Sequence, residues 1–159
     1  MPQTTPVAVA VPRAASQLQL LDHVDYEDAF AINTSPTVSP EQLMRAFVQH
    51  TPKWFALSWF TLGTLFFGLK VGPLSGSADH ICGWEIVHEH PDAFAVGLNS
   101  SSGLCVRLIT VTAPEQLILV TQVRLATRCQ RAMWPRIAPG HRFSAPYLLS
   151  RAAADADRP

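Results

Sequence analysis

The clearest alternation in the chain is QLILVTQVRLA, residues 116–126. Leu117, Leu119, Thr121, Val123 and Leu125 fall on one face of a strand there, while Gln122 and Arg124 fall on the other. Three more β-rich runs precede it, HICGWEIV (80–87), AFAVGLN (93–99) and LCVRLITVT (104–112). The connections HEHPD, SSSG and APE are short enough to require antiparallel neighbours. An isolated strand, DYEDAFAI (25–32), stands far upstream, with Tyr26, Asp28, Phe30 and Ile32 on one face. The pattern predicts a sheet with one wet and one dry side.

Helical periodicity fills the remainder. Ser39 as N-cap, Pro40 at the first helical position and Glu41 in the first turn start a helix whose apolar stripe is Leu43, Met44 and Phe47, and which ends at Thr51-Pro52. A second helix over 53–69 is apolar nearly all round, which predicts enclosure on most sides. Residues 71–79, rich in glycine, serine and proline, read as a loop. The chain closes with a helical region over 127–154, expected to bend at Pro139 and Pro146. Helices segregated to one face of an antiparallel sheet define the α+β class.

Composition narrows the function. The 159 residues fit one domain, expected over 18–155, after a disordered tail over 1–17. Twelve lysines and arginines balance twelve acidic residues without a block of like charge, so no nucleic-acid partner is expected. Only 15% of residues are charged while 48% are hydrophobic, which points to a large interior or to apolar surface that meets a ligand. Three widely spaced cysteines, Cys82, Cys105 and Cys129, argue against a disulfide framework, and no basic leader precedes the N-terminal apolar patch; both favour a cytoplasmic setting. The uncharged run Trp54 to Leu69 is shorter than the roughly 20 residues of a membrane span, and buried helices of this length outnumber spans.

Several fragments in order, DYEDAFAI, PKWFALSWFTLGTLFFGLK, ICGWEIV, VGLN followed by GLCVR, and APGHRFSAPYLLSRA, resemble the bacterial family known as domain of unknown function 2867. That resemblance implies the START-like, or helix-grip, architecture, an antiparallel sheet wrapped around a long C-terminal helix. It also implies a hydrophobic small-molecule ligand, with no established reaction and no cofactor. The family's paired acidic residues and its His-Leu-Asp-Phe-Arg run are replaced here by Asn99-Ser100 and by Gly103 to Arg107. Any chemistry those groups carry in relatives is missing from this chain.

Each candidate residue has a structural alternative. His141 with Arg142 offers a general base beside an oxyanion-holding fork, but His141 more simply caps carbonyls freed by the neighbouring prolines. Asp28, on an apolar strand face, needs a partner, and Arg107 is the candidate, as a structural ion pair before a site. His88 and His90 supply half a metal site at best, and no metal is expected. Trp84, with Cys82 and Ile86 on its face, and Trp134 serve a pocket wall or an ordinary core equally well. Tyr26 completes the ligand-binding candidates. These residues favour a binding domain with an enclosed cavity of at least about 300 Å³. A cyclase- or dehydratase-like enzyme using His141 and an arginine is the first alternative. The second is a membrane-associated or partner-binding protein, a homodimer included, that uses residues 54–69.

Overall fold

The computed structural model describes residues 5–158. Its elements are β1 (Val7–Ala8), α1 (Arg13–Ser16), β2 (Tyr26–Asn33), α2 (Pro40–Gln49), α3 (Lys53–Phe67), β3 (Leu69–Lys70), β4 (His80–Ile81), β5 (Trp84–His90), β6 (Ala93–Ser100), β7 (Cys105–Ala113), β8 (Gln116–Arg124) and α4 (Arg128–Ala156). Every pairing in the sheet is antiparallel, in the order β1-β2-β8-β7-β6-β5-β4, and β3 adds to β6. The chain is therefore α+β, with a long C-terminal helix against the sheet.

Local chemistry accounts for the element starts. At α2 the Ser39 hydroxyl accepts from Gln42 N at 3.1 Å, while the Gln42 side chain accepts from Ser39 N at 2.8 Å. Thr127 and Gln130 repeat this reciprocal pair at α4. Replacing Ser39 with alanine should cost about 1 kcal/mol in urea unfolding, with no change in denaturant slope. The segment 80–87, expected as one strand, is a hairpin instead. Cys82 and Gly83 take φ of 48° and 92°, the two-residue turn that joins β4 to β5. β5 continues through His90, so His88 and His90 stack along a partly exposed strand, 6.5 Å apart, rather than occupying a loop.

The principal core lies between one sheet face and helices α2 and α4, where Leu43, Met44, Phe94, Leu119 and Leu149 are fully buried. The opposite face is not wet. Ala29, Ala95, Ile109, Val111, Ile118 and Val120 are buried there beneath Val11, Ala15, Leu18 and Leu20. The expected disordered tail over 1–17 is thus, from residue 5 onward, a cover. Val7 and Ala8 pair with Ala31 and Phe30, and Ala15 is buried under the α1 turn. Residues 1–4 lie outside the described part. The physical reason is that the part of the second sheet face around Ile109, Val111, Ile118 and Val120 is apolar, and Val11, Ala15, Leu18 and Leu20 cover it.

Helix α3 departs from expectation in the other direction, since Gly63 is its only buried residue. Trp54, Leu57, Leu62, Leu65 and Phe66 are all more than half exposed. A Cβ at Gly63 would collide with the Leu69 side chain, so the glycine lets the helix fold back against β3. Gly68, at φ 65°, ends α3 in the left-handed conformation. No helix among the described residues is long and apolar enough to cross a membrane.

Candidate functional site

The α2–α3 and α4 layers do not close fully over the sheet. A partly open cavity of about 120 Å³ remains between the end of α2, the inner face of α3, the middle of α4 and the floor strands. It is smaller and less enclosed than the sequence suggests, because Phe55, Trp59 and Phe60 of α3 project into the space. Trp84 and Trp134, both pocket candidates, line it, and Cys82 joins them because the β4–β5 turn brings it round.

Thr51 in this wall turns its hydroxyl back onto the Phe47 carbonyl, and the other polar side chains gather around His141. His141, on α4, reaches across to β8 and β2, with Nε2 3.1 Å from Thr121 Oγ1 and 3.2 Å from Asp28 Oδ2. Register explains the meeting, since Asp28 and Thr121 are direct cross-strand partners on the face that α4 covers. His141 is therefore not a cap for carbonyls freed by proline. Pro135 and Pro139 lie on the exposed side of α4, where water can satisfy the carbonyls they displace. The Nδ1 of His141 has no hydrogen-bond partner among the described residues.

Behind His141 the network continues. Tyr26 Oη donates to Asp28 Oδ2 at 2.6 Å, and Arg142 Nε donates to Tyr26 Oη at 2.9 Å, its guanidinium 5.3 Å from the ring centroid. Trp134 packs edge-on against Tyr26 at 5.2 Å. Burial alone would raise the Asp28 pKa, but the His141 hydrogen bond and charge, with hydrogen bonds from Tyr26 and Thr121, outweigh it and hold the carboxyl below its ordinary value. Burial, followed by the hydrogen bond to Asp28, pushes the Tyr26 phenol up to about 12. Tyr26 thus remains a donor at neutral pH. Asp28 Oδ1 is buried with no partner among the described residues, an unfavourable arrangement for a carboxylate kept only for stability.

Arg107 does not belong to this cluster. It alternates onto the opposite sheet face, lies flat across Gly97, and donates to Asn99 Oδ1 at 2.9 Å and to the carbonyls of Val106 and Leu98. The expected Asp28–Arg107 ion pair is absent because the odd-numbered positions of β7 face away from the even-numbered positions of β2. Of the predicted site residues, the structure brings Tyr26, Asp28, Trp84, Trp134, His141 and Arg142 to one side and leaves Arg107 on the other. Thr121 was missed, and so was Ser144, which lines the cavity one turn after His141 and donates its hydroxyl to the His141 carbonyl at 3.3 Å. Thr121 had a signal, as the one polar position on the otherwise apolar face Leu117 to Leu125.

The cavity can accept a small apolar body and present one polar contact, and the Asp28–His141 pair can orient a ring nitrogen and accept a proton. The three free cysteines are dispersed, and no group of three or more His, Cys, Asp or Glu side chains comes together among the described residues. No family model, no curated protein and no solved structure matches the chain.

Proposed function

We propose that this chain is a helix-grip domain that binds a small, mostly apolar molecule in the cavity beneath α3, with one oxygen of that molecule hydrogen-bonded at His141 and Thr121. The observation that carries the reading is an apolar cavity with a single buttressed polar pair in its wall. The order strand, two helices, meander and long helix, with the first long strand beside the last, supports the helix-grip assignment and the START-like resemblance. At about 120 Å³ the space suits one ring or a short acyl chain, comparable with engineered apolar cavities of about 150 Å³ that take benzene.

Calorimetry with phenol and toluene tests this directly. Phenol should bind about tenfold tighter than toluene, and a Thr121→Val/His141→Leu protein should lose that preference. If neither probe binds, the cavity is no ligand site; equal affinities would remove the polar contact from the proposal.

The Asp28–His141 contact favours a second reading, proton transfer of the cyclase or dehydratase type. In that case Asp28, rather than an arginine, supports the base, since Arg107 faces away and Arg142 is engaged with Tyr26.

A further inference from the structure

The chain is neutral overall, yet its charges are not evenly placed. Residues 42–78 contain Arg45, Lys53 and Lys70, and residues 116–154 contain Arg124, Arg128, Arg131, Arg136, Arg142 and Arg151, while neither segment contains an aspartate or glutamate. These segments hold α3, α2 after Glu41 and α4 up to Ala154, so the carboxylates of the helical layer are confined to Glu41 at the start of α2 and Asp155 at the end of α4, and the rest of the layer is cationic. Arg45, Arg124 and Arg131 are paired with Glu41, Asp22 and Asp25, whereas Lys53, Lys70, Arg136 and Arg151 have no ion-pair partner among the described residues.

Within this layer α3 has two apolar faces. The inner one borders the cavity. The outer one consists of Trp54, Leu57, Ser58, Thr61, Leu62, Leu65 and Phe66, spaced 3, 1, 3, 1, 3 and 1 residues apart, and every one of them is exposed. Trp54 is 72% exposed, Leu65 76% and Phe66 66%. The Ser58 hydroxyl donates to the Trp54 carbonyl at 2.7 Å, so its proton is already used within the helix. Lys53 and Lys70 flank the helix. On α4, which borders the same cavity, Arg136, Phe143, Tyr147 and Arg151 form a second exposed stripe of aromatic and cationic side chains.

We propose that the outer face of α3, with the Arg136 to Arg151 stripe of α4, docks onto an anionic lipid surface, α3 lying in the plane of the interface. An apolar face that carries tryptophan and is rimmed by lysine and arginine is the pattern of an interfacial helix. Fifteen residues span about 22 Å, short of a hydrocarbon core of about 30 Å, so the helix lies on the bilayer and does not cross it. Charge separates lipid from a second copy of the chain. A two-fold pairing through this face would set the cationic rims against each other, whereas acidic headgroups neutralise them. The proposal does not depend on what the cavity holds.

The test is co-sedimentation of the full chain with vesicles of phosphatidylcholine alone and of phosphatidylcholine with about 30 mol% phosphatidylglycerol. Binding is expected to the anionic vesicles, and to weaken as NaCl rises from about 0.05 to 0.5 M. Leu65→Glu/Phe66→Glu should lower it at least about tenfold. Arg136→Gln/Arg151→Gln should lower it about tenfold and flatten the salt dependence. All four positions are exposed, so circular dichroism should report an unchanged fold in both variants. Failure to bind either vesicle overturns the proposal. So does a concentration-dependent dimer in sedimentation velocity that Leu65→Glu/Phe66→Glu dissolves, which would assign the face to a second copy.

Discussion

Removing the chain up to Leu20 is expected to lower the unfolding free energy by about 4 kcal/mol or more and to leave a protein that self-associates. Val11, Ala15, Leu18 and Leu20 pack over the second sheet face, and each large side chain among them contributes about 1.5 kcal/mol by burial. Without them, Ile109, Val111, Ile118 and Val120 form a contiguous apolar surface, and β2 loses β1 and becomes an open edge. Urea unfolding with sedimentation velocity measures both effects. An unchanged midpoint in a monomeric truncated chain would return this segment to the status of a tail.

Replacing His141 with leucine should cost about 2 kcal/mol at pH 7, and most of that loss should disappear when Asp28→Asn is added. The single substitution leaves a half-buried carboxylate without its closest counter-group, whereas the double one removes the charge as well. The pH dependence fixes the sign. Because the folded state holds Asp28 below its ordinary 3.8, its ionised form contributes stability that is present above pH 3.8 and is lost as pH falls through the depressed folded value. The gap between wild type and Asp28→Asn should therefore close in acid. A gap that persists unchanged below pH 3 would mean that the carboxylate's charge is not what His141 stabilises.

Much of the scaffold was legible because it is written locally. The Ser39-Pro40-Glu41 start, the Leu43, Met44 and Phe47 stripe and the alternation of Leu117 to Leu125 depend on neighbours three or four residues away at most. Their burial follows. The site was only half legible. Asp28 announced that it needed a partner, but which residue met it depended on the register of β2 against β8 and on the reach of α4. Sequence spacing offered Arg107, and strand parity removed it. The second core was missed although Ile109, Val111, Ile118 and Val120 were in plain view, alternating with the residues taken as the only dry face. The exposure of α3 was legible only as an alternative, since a helix apolar all round fits deep enclosure and surface display equally well.

The pairing of β2 with β8 bears on how the molecule is made. Partners from Asn33 with Gln116 to Tyr26 with Val123 must find each other across more than half the chain, whereas β5 to β8 are joined by hairpins. The meander can form as soon as it exists, but β2 leaves the ribosome well before its partner β8 and waits for it. Refolding should therefore proceed on the millisecond-to-second scale of non-local β topologies, with closure of this strand among the late events. Until then Phe30 and Ile32 have no core to enter, and Asp25, Glu27 and Asp28 keep the nascent strand charged and soluble.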